Sequence, residues 1–261
     1  MSCCPTEILP VESSYKPQSD LVYIAGGGTA AAAASSTGSL KKGILFIPDI
    51  FGPHPNAYQM ADTLAARGGF VVVMPDFFRG TQWTLDNFPP ADGWQSPAWT
   101  NFLASLTYDQ MKPRVQQGIA ILRAMLETDS KSFADHDAAA PAAVIAKIGA
   151  VGFCWGGGIA MEALAEGLVD AAASPHPSHL TTDLMKRVCG PVCLLPTKDD
   201  SELLDIKEAA ESTGHKVVYK YFEDMHHGFC GARGNFNDEL NRTRANEAVD
   251  IMVKFFDETL A

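Results

Sequence analysis

Positive charge is in short supply. The 261 residues carry 20 Lys and Arg against 31 Asp and Glu, a formal net charge of −11, and such a surplus repels phosphate backbones and anionic lipid surfaces. Nucleic acid and membranes are therefore not expected as partners. No apolar run approaches the roughly 18 residues a bilayer span needs. The opening Met1-Ser2-Cys3-Cys4-Pro5-Thr6-Glu7 lacks the basic flank and apolar stretch of a secretory signal, so a cytoplasmic location is expected. Cysteine is sparse, with six residues at 3, 4, 154, 189, 193 and 230 and no Cys-x-x-Cys pair. That spacing excludes a disulfide framework, a zinc ribbon and a thioredoxin-type motif.

What remains is an ordinary globular composition, 46% hydrophobic and 20% charged, too apolar for a disordered chain. One α/β domain over residues 1–261 is the expectation. The first forty residues are polar and irregular. Gly26-Gly27-Gly28 with the alanines and serines after it reads as a low-complexity connection between two early strands. It lacks the Lys and Ser/Thr that would complete a phosphate-binding loop.

From residue 43 the pattern becomes regular. Short apolar runs predict strands at 43–48, 70–75, 144–151, 169–173, 191–195 and 217–222. Between and after them, helical spacing predicts helices near 57–67, 111–127, 156–166, 201–212 and 238–259. Such alternation is the pattern of βαβ units. It predicts an α/β fold with a mainly parallel twisted sheet, helices on both faces, and ligands at the carboxyl ends of the strands. Residues 77–108 hold three of the four Trp without a clear period and predict a loop-rich cap over that edge.

The segment Gly152-Phe153-Cys154-Trp155-Gly156-Gly157 follows a predicted strand and opens a predicted helix. It has the form of a nucleophile elbow with cysteine in place of serine. Small residues at 152 and 156 let the backbone pass at a sharp turn, and a helix amino end beside Cys154 favours thiolate over thiol. Composition alone would yield on the order of 0.04 such Gly-x-Cys-x-Gly matches, against the ordinary reading of a small buried cysteine.

A thiol nucleophile needs a base and the base an orienting acid, in the chain order nucleophile, acid, histidine. Pro196-Thr197-Lys198-Asp199-Asp200 and Asp224-Met225-His226-His227-Gly228-Phe229 each follow a predicted strand, in that order. Spacing does not choose within either pair. Asp200, just before a predicted helix, suits an N-cap role, which favours Asp199 as the acid. The loop His176-Pro177-Ser178-His179 borders the same edge, but no acidic or Cys partner stands at ligand spacing, so no metal is expected.

These segments, with Pro48-Asp49-Ile50-Phe51-Gly52 and Met74-Pro75-Asp76-Phe77-Phe78-Arg79-Gly80, resemble the dienelactone hydrolase (carboxymethylenebutenolidase-like) family of α/β-hydrolases from about residue 43 onward. The resemblance implies a triad of Cys154, Asp199 and His227 and an acidic residue, here Asp49, that interacts with the thiol and helps activate it. Members similar to the bacterial prototypes carry Glu at that place. It also implies that Arg79 binds a substrate carboxylate, with Arg233 as a second candidate. The elbow fold adds an oxyanion site from the Trp155 amide and an amide of the earlier loop, for which Ile50 is the choice. Phe51 and His176 complete the expected substrate-binding set. The expected activity is hydrolysis of a small carboxylated lactone or activated ester through an acyl-thioester, without a cofactor. The rivals are a general carboxylesterase or thioesterase, and a catalytically silent hydrolase fold used as a binding module.

Overall fold

The apolar runs of the sequence become the central strands of one sheet. The computed structural model describes residues 22–26, 42–131 and 147–261. Among the described residues seven strands, β1 (Val22–Ala25), β2 (Gly43–Ile47), β3 (Val71–Pro75), β4 (Ile148–Gly152), β5 (Ala171–Pro175), β6 (Val192–Leu195) and β7 (Val217–Tyr219), lie in the order β1-β3-β2-β4-β5-β6-β7. Strand β1 runs antiparallel to β3, and all the other pairings are parallel. The helices are α1 (Pro55–Gly68), α2 (Pro97–Ala104), α3 (Tyr108–Lys131), α4 (Gly156–Ala165), the short α5 (Thr182–Met185), α6 (Leu204–Glu211) and α7 (Glu239–Thr259).

Successive strand side chains point to opposite faces, and both faces are covered, so the strands are apolar throughout rather than alternating. One face carries Leu45, Ile47, Val71, Val73, Ala150, Val192 and Leu194 and packs against Val115, Ile119 and Leu122 of α3 and Ile159 of α4. The other carries Ile44, Phe46, Val72, Met74, Val151, Cys193 and Leu195 under Met60 and Leu64 of α1 and Val249, Met252 and Phe256 of α7.

Three differences from the sequence expectation bear on the site. First, 77–108 is more ordered than a loop-rich cap. It contains α2, started by Ser96 and Pro97, and a 3-10 turn at Leu85–Asn87. Its aromatic rings pack mainly on one another, Trp83, Phe88 and Trp94 all against Trp99, so no core-facing period was readable. Second, the helix expected from 201 starts at Leu204. Residues Lys198–Asp200 form a separate 3-10 turn, and left-handed Ser201 (φ 56°) and Leu203 (φ 49°) break the helix between them. Third, β7 ends at Tyr219, and a single bridge then joins Thr197 to Phe222. That bridge sets the turn at 198–200 beside the loop that carries His226 and His227. The early residues of the strand expected from 144, the low-complexity segment beyond Gly26, and Cys3 and Cys4 lie outside the described residues.

Candidate active site

Strand β4 stops at Gly152, and the chain turns through Cys154 in the left-handed region (φ 55°) before α4 begins at Gly156. An L-residue there stores strain, and the surroundings hold it. The Cys154 carbonyl accepts from Gly157 N (3.0 Å) and Ser178 N (2.9 Å). The glycines are required: a Cβ on Gly152 would stand 2.0 Å from the Gly156 carbonyl oxygen, and one on Gly156 would stand 2.6 Å from that of Ile47. Cys154 is partly exposed, and its Sγ lies 3.7 Å from Ser178 Oγ. Ser178 was not singled out from the sequence. Only the position of its loop, at the carboxyl end of β5, pointed to it.

The His227 imidazole interacts electrostatically with Cys154 on one side and is hydrogen-bonded to Asp200 Oδ1 through Nδ1 on the other. Burial lowers its proton affinity, but the interactions with Asp200 and Cys154 outweigh that and lift its pKa to about 10. His226 is turned aside, its Nδ1 against the His227 carbonyl oxygen at 2.9 Å.

The carboxylate beside the imidazole is not that of Asp199, the expected acid. Asp199 does not reach the imidazole ring; its Oδ2 accepts from the His227 backbone amide at 3.0 Å. Asp200 does both jobs that the sequence set in opposition. Its Oδ2 accepts from Thr197 N (2.9 Å) and Thr197 Oγ1 (2.7 Å), closing a capping box, while Oδ1 serves the imidazole. A carboxylate has acceptor capacity for both. The tight 3-10 turn, in place of a helix start, aims it at the histidine.

Asp49 also departs from expectation. It is buried, and both oxygens are taken by backbone amides, Oδ1 by Phe51 N (3.0 Å) and Oδ2 by Ala232 N (2.8 Å). It makes no hydrogen bond to Cys154, because the short side chain folds back over its own turn. Burial raises its pKa to about 6, against the opposing pull of the two amides and of the nearby His227 and Arg233.

Among the described residues, the Ile50 and Trp155 amides donate to no protein acceptor, as an oxyanion site requires. The loop bearing Ile50 runs past the start of α4, where the Pro48 carbonyl oxygen would lie 2.7 Å from a Gly156 Cβ. The Trp155 indole donates to the Leu106 carbonyl (3.0 Å) and packs on Phe77 and Phe78, fastening the cap to the elbow. A cavity of about 210 Å³ opens beside it, between the start of α3, α4 and His179.

The remaining expected residues divide. Phe51 is buried and meets Phe88 edge-on, with centroids 5.3 Å apart, and the Arg233 guanidinium lies 5.2 Å from the Phe88 centroid. Phe51, Phe88 and Arg233 therefore form one continuous wall. Arg79 is exposed, and among the described residues its guanidinium has no hydrogen bond or ion pair. His176 is not a surface contact. It is fully buried between Phe153 and Phe229, with its ring 5.0 Å from that of His227. Burial and the neighbouring imidazole keep it neutral, with a pKa well below the usual value. Among the described residues no group of His, Cys, Asp and Glu is arranged to hold a metal, and no helix is long and apolar enough to cross a membrane.

Comparison with known proteins agrees with this architecture. Relatives along most of the chain include an AIM2 family protein of Schizosaccharomyces pombe, 27% identical and covering 99% of each chain. Hydrolase tropI of Talaromyces stipitatus is 28% identical over 84% of this chain and 82% of its own. Dienlactone hydrolase 1 of Gibberella moniliformis is 23% identical over 92% and 84%. Among solved structures, the dienelactone hydrolase-like promiscuous phosphotriesterase P91 from metagenomic libraries superposes with a TM-score of 0.57 at 18% identity, covering 87% of this chain and 90% of its own. The acylaminoacyl peptidase of Pyrococcus horikoshii does so at 0.56 and 16% identity, over 85% of this chain and 38% of the peptidase. These two likenesses establish the fold. The model of the dienelactone hydrolase family matches residues 29–260, and this chain is a hydrolase belonging to that family, built on the α/β-hydrolase fold.

Proposed function

We propose that the chain is a carboxylic-ester hydrolase that opens a small lactone or cleaves an activated ester through a Cys154 acyl-thioester. One observation carries the reading. A thiol on a strained elbow interacts with an imidazole whose Nδ1 is held by a buried carboxylate.

The raised proton affinity of His227 suits it to take the Cys154 proton as the nucleophile forms. Sγ attacks the carbonyl carbon, and the oxyanion is stabilised by the Ile50 and Trp155 amides. As the tetrahedral intermediate collapses, the carbon–oxygen bond breaks and His227 gives its proton to the departing oxygen. Water then attacks the thioester with His227 as base, and the carboxylate product leaves as the thiolate re-forms. Asp200 holds the imidazole with Nδ1 protonated and Nε2 free for this transfer. Among the described residues no carboxylate pairs with Arg233. Its half-buried guanidinium at the end of the Phe51–Phe88 wall favours a substrate with a carboxylate beside a flat apolar body. An intact thiol–imidazole–carboxylate chain argues against a silent binding module.

Cys154→Ala should abolish turnover of aryl esters and lactones while leaving the melting temperature within a few degrees. Turnover at the native rate would remove the mechanism.

A further inference from the structure

The proposed reaction does not use the buried carboxylate of Asp49. We propose that Asp49 is a positioning residue, a clamp that holds the turn carrying the Ile50 amide to the loop carrying His227 and Arg233. This rests on the reading of Cys154 and His227 given above.

The two segments are remote in sequence and joined at few points. Asp49 grips its own turn through Phe51 N at 3.0 Å and the distant loop through Ala232 N at 2.8 Å, across 183 positions. The fit is close: a Cβ on Gly231 would stand 2.3 Å from Asp49 Oδ2. A second tie comes from Asn56, whose Nδ2 donates to the carbonyls of Gly231 (2.9 Å) and Gly234 (2.8 Å). On its far side the loop is held by Asn241 Nδ2 donating to the Phe229 carbonyl (2.8 Å). Of these ties only the Asp49 tie ionises, and only Asp49 touches the oxyanion turn.

The donors at both ends are amide N–H groups, so the clamp needs an acceptor on each oxygen. The ionised carboxylate supplies both, whereas the acid form turns one oxygen into a donor and opposes one of the amides. The groups facing Asp49 are the His227 and Arg233 cations and, across Gly231, the neutral His176. Among the described residues no second carboxylate faces it, and its pKa of about 6 places the change just below neutrality. As the pH falls through that value the clamp opens on one side. The oxyanion amide and Arg233 then lose their fixed separation, while the contact between Cys154 and His227 is untouched.

The test compares kcat/KM for a neutral and a carboxylated aryl ester between pH 5 and 8 in wild type, Asp49→Asn and Asn56→Ala, with the iodoacetamide alkylation rate of Cys154 measured alongside. Wild type should show an ascending limb centred near pH 6. Asp49→Asn should be lower by about tenfold or more, flat across that range, and raised in KM chiefly for the carboxylated ester. Its alkylation rate at pH 7 should stay within a few fold of wild type. Asn56→Ala loosens the same loop without a titrating group, so it should lose activity but keep the limb. A limb near pH 6 that survives in Asp49→Asn, or a loss of alkylation rate at pH 7 as large as the loss of kcat/KM, would overturn the clamp, the second by showing that Asp49 acts on the thiol itself. All these proteins retain Cys154, so failure of the clamp is distinguishable from failure of the nucleophile, which Cys154→Ala reports.

Discussion

Replacing Asp200 by Asn separates the two carboxylates that the sequence left in competition. The side chain keeps its shape but has only one oxygen for two tasks. If that oxygen stays on Thr197 N and Oγ1, the new NH₂ faces His227 Nδ1 and forces the proton to Nε2, where the ring no longer acts as a base. If it turns to the imidazole, the capping box opens. At about 1.4 kcal/mol per tenfold change in proton affinity, the rise of His227 from 6.5 to about 10 amounts to something on the order of 5 kcal/mol, set by Asp200 and Cys154 together against burial. A hydrogen bond to a charged group is worth ~1.5–3 kcal/mol. In triads of this kind the wrong tautomer has cost up to about 10⁴-fold. The expected loss in kcat/KM for p-nitrophenyl acetate at pH 7 is therefore about 10²- to 10⁴-fold. Asp199→Asn should lose less than about tenfold, because its amide oxygen can still accept from the His227 backbone N–H. Stability gives a second readout. A histidine whose proton affinity is raised on folding stabilises the native state fully below pH 6.5, and that contribution is lost as the pH rises through about 10. Urea unfolding between pH 7 and 10 should therefore be less pH-dependent in Asp200→Asn than in wild type. Equal losses in the two Asn variants, or an Asp200→Asn enzyme near wild-type rate, would refute the assignment.

Gly152→Ala should cost ~3 kcal/mol or more and remove activity, because the added methyl would stand 2.0 Å from the Gly156 carbonyl oxygen; a melting curve like wild type's would show that the elbow is not so constrained. Buried Asp62, which accepts from Tyr23 Oη at 2.7 Å, is raised by burial to about 7 from 3.8. Its contribution to stability is full below about pH 3.8 and lost as the pH rises through 7. Asp62→Asn should therefore be more stable than wild type by a few kcal/mol at pH 8 and not at pH 4, which urea unfolding at the two pH values would check. Arg233→Ala should raise KM for carboxylated esters about tenfold or more and leave neutral esters nearly unchanged, with Arg79→Ala weaker because that side chain is exposed and unanchored. Equal effects of Arg233→Ala on both substrates would remove it from carboxylate binding.

Local patterns along the chain were enough for the parallel sheet, the sharp turn at Cys154 and the chain order of the segments that meet beside it. Apolar runs of strand length leave little choice of partner, and Gly-x-Cys-x-Gly between a strand and a helix answers a steric need that is itself local. Tertiary structure decided what depends on direction rather than position. Asp199 and Asp200 are equivalent in spacing, and only the bridge from Thr197 to Phe222 with the tight turn after it aims Asp200 at the imidazole. Asp49 and His176 lie at the expected strand ends, yet one is consumed by two backbone amides and the other is sealed between aromatic rings. Sequence alone placed these side chains at the right edge of the sheet; where each one points is set by contacts with residues up to 183 positions away.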